Sequence, residues 1–587
     1  MMRWRLIAGG LVWLGSAGLA AAADNAAGFY DTGQAELRAG RVEAALTALR
    51  KAAVMGDAQA QNALGFALQH GSGLPRAPAA ALDWFRRAAE QGLADAEFNL
   101  GFMLQRGEAG LINIAEAADW FHRAADRGSA PAIAVLGALY ADGPDAKGNG
   151  LARDAALALL YLTRAAEAGE PNAANRLGVM YSQGLMVPRN PALAAKWLRL
   201  AVEKNNPIAA FNLALLVETG DGVRQDPAEA IRLYRRAADQ GVALAQNALG
   251  GLLATGAGIA RDDVLAAIWI GRAAEQGLAL AQANLASLLE QGRGVARNDA
   301  LARLWLQRAA AQSHPQAMAA LGLYLLNGRG GPADQPAAVA WTQRAAEAGL
   351  PDAQRRLGQM YERGIGTPAD DAAGRVWYHR AAERGDAEAQ VRLAALLEAG
   401  WRGAERDSSA AAKWFLYAAG QGVGIAQYRL ALLFLRGDGV RQDDDVAVPL
   451  LMRAAEQRVP GAAWQLGALV HDGRGADPDL EAALHWFQLG AQQYGNFFIQ
   501  RTITYYDFLM AARQKPGTGN SAADAVALRH LRVAADHGLP SAQNNLAVML
   551  YRGWGTKQDI PAAKKLFQTA AAGGNKAAEA WLTWLEK

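Results

Sequence analysis

The apolar and small residues of this chain return in a fixed register. The first residue of a small pair, most often Ala-Ala after Arg, falls at Ala52, Ala88, Ala124, Ala165, Ala201, Ala237, Ala273, Ala309, Ala345, Ala381, Ala418, Ala454, Gly490, Ala534 and Ala570. Of the 14 steps between these positions 11 are 36 residues, and the others are 41, 37 and 44. A second motif keeps the same register, with Leu64-Gly65, Leu100-Gly101, Leu177-Gly178, Leu249-Gly250, Leu321-Gly322 and Leu357-Gly358 each 24 residues ahead of a pair. Ala replaces that Gly at Ala214, Ala286, Ala394, Ala431 and Ala547. A further Ala stands four residues before most of these Leu positions, as at Ala60, Ala245 and Ala281. Ala at i, Leu at i+4 and a small residue at i+5 mark one helix face that a neighbour can approach closely. Each unit therefore predicts a helix A, a turn and a helix B, and a period of this kind marks a stacked array rather than a set of globular domains.

The turns agree with this. Helix A ends in Gly-x-Gly, as at Gly220 and Gly222, Gly256 and Gly258, or Gly437 and Gly439, and Gly supplies the left-handed residue of a C-terminal cap. An Asp such as Asp226 or Asp559 then stands where it can cap helix B. Four residues before the Ala pair sits a large residue: Trp84, Trp120, Trp197, Trp269, Trp305, Trp341, Trp377, Trp414 and Trp486. This ladder reads as the bulky anchor between the two helices of each unit, not as a stack of ligand-binding rings. Arg87 with Glu90 and Arg344 with Glu347 have the spacing of i,i+3 surface pairs.

Composition narrows the class. Lys+Arg is 59 and Asp+Glu is 56, a net charge of +3, so there is no basic excess to bind nucleic acid. Arg3 and Arg5, the apolar run Leu6 to Leu19 and then Ala20-Ala21-Ala22-Ala23-Asp24 read as a secretory signal peptide over residues 1–23. The remaining chain has no segment resembling a membrane span, so no stable membrane insertion is expected after cleavage. There is no cysteine, which excludes disulfides and a lipoprotein anchor. The expected location is the periplasm, or beyond it by secretion.

The unit, with Ala-x-x-x-Leu-Gly, Gly-x-Gly-Val and Trp-Tyr-x-x-Ala-Ala-Glu-x-Gly, resembles the Sel1-like repeat, a relative of the tetratricopeptide repeats. Ala245 to Gly277 is a good single instance, and Trp377 to Gly385 matches the helix B motif closely. The resemblance implies an all-α fold, an α/α superhelical solenoid of about 14–15 units, with a starter hairpin at 24–56, repeats over 57–573 and a capping half-repeat at 574–587. It also implies a non-catalytic protein-interaction scaffold or regulator of the bacterial envelope, bound to a protein or peptide such as a sensor or polysaccharide-export component. A secreted effector or adhesin and a cell-wall enzyme are the alternatives. Some members carry a cysteine pair in each repeat and have been linked to penicillin binding; this chain lacks those cysteines.

No constellation for catalysis emerges. The eight histidines form no His-Glu-x-x-His, and His530 and His537 stand two turns apart. Gly328-Arg329-Gly330-Gly331 lacks the strand and the Gly-Lys-Ser/Thr of a phosphate loop and reads as a cap. Arg384-Gly385-Asp386 and Arg436-Gly437-Asp438 arise from the repeat consensus, and Asp443-Asp444-Asp445 reads as a helix start. No catalytic residue, metal ligand or cofactor-binding residue is assigned.

A partner would meet the positions that vary. By the tetratricopeptide likeness these line helix A, two residues before the Leu: Asn62, Phe98, Asn175, Phe211, Asn247, Arg355, Tyr428, Trp464 and Asn544. Aromatic and Arg side chains suit interface anchors, and Asn suits an extended backbone; the same aromatics would also serve as packing between helices. Tyr505 and Tyr506 join the set, because Tyr494 to Met510 loses Leu-Gly and is dense in rings. The longer turn Gly143 to Asp154, the loop Gln514 to Ala525 and the loop residues Trp401 and Trp554 also depart from the repeat.

Overall fold

The computed structural model describes residues 22–110, 112–145, 148–400, 405–476, 482, 483, 485–487, 489, 490, 522–536, 538 and 540–585. Residues 1–21 of the leader, the segment Tyr494 to Met510 with Tyr505 and Tyr506, residues 514–521 of the following loop, Trp401 and His537 lie outside them. Among the described residues there are helices and no strand. The chain divides into two compact units, Met1–Ala309 and Ala310–Lys587.

Ala243–Thr255 and Asp263–Glu275 show the plan, a helix A and a helix B of 13 residues each, about 20 Å long. Asp262 caps the second by accepting from the Leu265 N–H, and Gly256 ends the first in the left-handed conformation at φ +75°. After helix B the Gly277 N–H reaches the Ala274 carbonyl and the Leu278 N–H the Ala273 carbonyl, so the last carbonyls of helix B are satisfied as the next helix A begins. Asn205, Ser313 and Arg458 hold the same left-handed place as Gly277, at φ of 62°, 62° and 58°. The second Gly of Gly-x-Gly presses on the preceding unit. A Cβ on Gly294 would lie 1.8 Å from the Asp263 carbonyl oxygen, and one on Gly439 2.2 Å from the Ser408 carbonyl carbon.

The anchor of helix B is one residue further along than the sequence reading placed it. Phe85, Phe121, Leu162, Leu198, Tyr234, Ile270, Tyr378, Phe415, Leu451, Phe487 and Phe567 are all buried, three positions before their small pairs. With the Ala seven before the pair, such as Ala266 or Ala411, they make an i, i+4, i+7 stripe. The Trp at the neighbouring position lies about 100° round the helix, and Trp84, Trp120, Trp341, Trp377 and Trp414 are only half-buried. The small residue after Leu in helix A is the socket for this anchor. A Cβ on Gly250 would meet Ile270 at 2.5 Å, on Gly65 Phe85 at 2.9 Å, and on Gly358 Tyr378 at 3.0 Å.

In the first unit the helix Ala22–Arg38 packs on Val42–Val54, and a single apolar cluster continues from Ala81 to Trp269 through successive repeats. In the second, buried clusters centre on Phe415 and Leu430, on Leu451 and Phe487, and on Leu531 and Phe567. The final helix Lys576–Leu585 lays Trp581 flat on Phe567, with ring centroids 5.4 Å apart. Trp554 packs into the same cluster beneath Arg552, folded back on its turn. No described helix is long and apolar enough to cross a membrane.

Candidate interaction surface

What a partner can touch is what remains after the repeats have bound each other. One joint uses glutamine. Gln246 in helix A is buried, and its Nε2 donates to the Ala238 carbonyl of the preceding helix B while its Oε1 accepts from Gln276 at 2.7 Å. Gln61 with Gln91, Gln390 with Gln421 and Gln427 with Gln457 repeat the arrangement. In one repeat the pair is ionic: Glu97 is 1% exposed and accepts from Arg127 at 3.2 Å. Two polar residues 30 or 31 apart thus form each joint, a relation with no local motif to betray it in the sequence.

A second joint takes up several of the residues proposed above for a partner. Asn62 accepts from Asn99, Asn175 from Asn212 and Asn247 from Asn284, each at 2.9 Å. Phe98 lies 5.7 Å from Phe121, Phe211 5.9 Å from Tyr234, and Trp464 6.3 Å from Phe487. Arg355 is nearly enclosed and pairs with Asp352, Asp386 and Glu388. Tyr428 packs with the Leu451 cluster, and Asn544 is buried and donates to Asn545. All nine sit on helix A in one register, but as partly or wholly covered side chains whose polar ends mostly meet the neighbouring repeat.

Polar groups are also set inside the stack. The Tyr234 hydroxyl donates to Glu218 at 2.6 Å and that of Tyr378 to Glu362 at 2.7 Å. Burial first, and the carboxylate second, push both phenols far above their ordinary range. Burial alone would raise Glu362, yet the hydrogen bonds from Arg392 and Tyr378 outweigh it and hold that carboxyl below the usual value. His122 bridges the hydroxyls of Tyr161 at 3.0 Å and Tyr140 at 2.9 Å, tying consecutive repeats. Asp443 caps its helix, and Asp444 takes a bidentate bond from Arg474. Asp386 likewise caps helix A, and Asp438 pairs with Arg406, so both Arg-Gly-Asp sequences do structural tasks. Among the described residues no three His, Asp or Glu gather as metal ligands would.

The outer edge of helix B carries the tryptophans, and arginine covers six of them. Arg87 lies over Trp84, Arg123 over Trp120, Arg272 over Trp269, Arg308 over Trp305, Arg344 over Trp341 and Arg380 over Trp377, all at 4.5–4.8 Å. Arg87 and Arg344 therefore stack on rings instead of pairing with Glu90 and Glu347.

The family model described as Sel1 repeat matches residues 58–93, 94–129, 130–170, 171–206, 207–242, 243–278, 279–314, 315–350, 351–386, 387–423, 424–459, 460–494 and 540–575. The chain belongs to the Sel1 repeat family. Among solved structures it is similar to a protective antigen present in uropathogenic Escherichia coli strains that displays an SLR fold. The two are 31% identical, with a TM-score of 0.60, over 80% of this chain and 96% of that one. A Sel1 repeat protein from Oxalobacter formigenes is 33% identical over 53% of this chain and 90% of that chain, with a TM-score of 0.43. No curated protein matches. The Sel1 repeats of this chain begin at residue 58 and continue, apart from residues 495–539, to 575. Sel1 repeat proteins in general mediate protein–protein interactions.

Proposed function

We propose that this Sel1 repeat protein is an exported, non-catalytic scaffold of the bacterial envelope that binds a protein or peptide partner. The observation that carries this is how the repeats use their side chains. The inner faces go to anchors and sockets within each repeat and to joints that hold one repeat on the next, and the buried phenols of Tyr234 and Tyr378 bond carboxylates of their own repeats. What varies from repeat to repeat is the exposed surface, where recognition in such arrays resides. The basic start, apolar run and Ala-rich end of residues 1–23 support export. Fractionation of the producing cell, with mass determination of the mature N-terminus, tests it. A chain cleaved after Ala22 or Ala23 in the periplasmic fraction is the expected result, and an intact leader in the cytoplasm would overturn it.

The likeness to a protective antigen of uropathogenic strains favours a second reading, in which the mature chain is secreted and meets a host protein. The same fractions decide between them, because that reading requires the mature chain in the medium.

A further inference from the structure

Three tryptophans of the helix B edge lack an arginine cover, Trp197, Trp414 and Trp486, and of these Trp414 lines a cavity. Six tryptophans carry an arginine three residues later, within 4.8 Å of the ring. Trp414 has Tyr417 there instead, 5.6 Å away and tilted, while His379 of the preceding repeat meets the indole edge-on at 5.5 Å. No guanidinium of its own helix lies over this ring. Beside it, between the helices Asp371–Glu383 and Ser408–Gly420, a cavity of about 540 Å³ opens. Its floor includes Leu393 and Leu397 of helix A, and Trp414, Arg375 and Arg380 line it. Val376 of the lining is 49% exposed, and Tyr417, which meets Trp414 beside the cavity, is 61% exposed.

The composition identifies the occupant. Trp, Tyr and Arg around a recess with leucines beneath are the residues that dominate protein recognition, each offering a large rigid surface or a planar cation. The volume suits the side chain of a peptide anchor rather than a whole domain. The charge is complementary to acid. Glu383 faces His379 at 3.4 Å, and Arg380 is stacked on Trp377. Arg375 is exposed, lines the cavity and forms no ion pair among the described residues. We propose that this cleft, on the helix B edge rather than on the helix A positions, docks a peptide segment in which a large apolar or aromatic side chain stands beside Asp or Glu. The anchor lies on Trp414 over Leu393 and Leu397, and the neighbouring carboxylate meets Arg375. This rests on the scaffold reading and names the surface that serves it.

The test is a random peptide library displayed on phage, selected on the leader-cleaved full chain. Recovered peptides are then titrated against Tyr417→Ala and Arg375→Glu, two changes at exposed positions, checked for unaltered circular dichroism and melting. The expected result is enrichment of Asp or Glu within a residue or two of Phe, Trp or Leu, with affinity down about tenfold or more in each variant. Peptides that bind wild type and variants alike would overturn the cleft while leaving the scaffold reading in place. A library that yields no binder would count against both. Tight binding of an acidic oligosaccharide such as oligogalacturonate, lost in the same variants, would also overturn the peptide assignment and replace it with a saccharide.

Discussion

The stretches Ala243 to Leu278 and Ala387 to Val423 are built alike inside and differently outside. Inside, Ile270 fits against Gly250 in one, and Phe415 packs in one cluster with Ala394, which takes that Gly's place, in the other. Gln246 meets Gln276 in the first, and Gln390 meets Gln421 in the second. Outside, Arg272 covers Trp269, whereas Trp414 looks onto a cavity beside Tyr417. The interior of a repeat must fit its neighbours on both sides, so little can change there without disturbing the stack. The outer edge carries no such obligation, and there one repeat can be specialised.

The first way to break the comparison is to attack what the two share. Phe415→Ala should cost about 3–5 kcal/mol and Ile270→Ala about 2–5 kcal/mol. Amide exchange is the measurement, because an array loses stability locally as well as globally. Protection should fall most in the mutated repeat and its neighbours. Equal protection throughout would mean that the anchors do not hold the repeats together.

The next effect concerns the joint that changed chemistry. Arg127→Ala leaves Glu97 buried at 1% exposure without its cation, and should destabilise by about 3 kcal/mol. The double change Glu97→Gln with Arg127→Gln rebuilds the neutral joint of Gln246 and Gln276. It should recover most of that loss in urea unfolding. A double variant as weak as Arg127→Ala would show that the two positions are not coupled.

Smaller again are the buried phenols. Tyr234→Phe removes the hydrogen bond to Glu218 and should cost about 1.5–3 kcal/mol, as for bonds to charged groups. Because the folded phenol titrates above its unfolded value, its stabilisation is complete below the ordinary tyrosine range near pH 10 and is lost as pH rises through it. Stability against pH should therefore fall less steeply above about pH 10 in Tyr234→Phe than in wild type. The same slope in both would mean that Tyr234 ionises in the fold as it does in water.

Much of this was legible from the sequence. The 36-residue register, the helix pairs, the left-handed Gly caps and the Asp caps all follow from local spacing, where one residue type satisfies one local need. The Trp ladder was displaced by one position, because Trp is the conspicuous residue while the inward stripe at Phe85 or Ile270 varies among Phe, Tyr, Leu and Ile. The Gln joint and the Asn joint escaped altogether. They link residues 30, 31 or 37 apart, as Gln246 to Gln276, Gln390 to Gln421 and Asn247 to Asn284, which become neighbours only once the helices are stacked. The cleft at Trp414 was hidden for a related reason: it arises from an arginine replaced by Tyr417, visible only when the other six arginines are known to cover rings.

The smallest effect sharpens the outer difference. Arg272→Ala uncovers Trp269 and should lower stability by about 0.5–1 kcal/mol. Tyr417→Ala, at the matching place beside Trp414, should stay within about 0.5 kcal/mol of wild type. The informative change is the reverse one, Tyr417→Arg, which supplies Trp414 with the cover that six other tryptophans have. If the open ring exists for a partner, this variant gains up to about 0.5–1 kcal/mol of stability and loses peptide capture, the exchange expected where a binding site is kept at the expense of stability. A variant that gains stability and still captures peptide would show that the uncovered ring is an accident of the repeat.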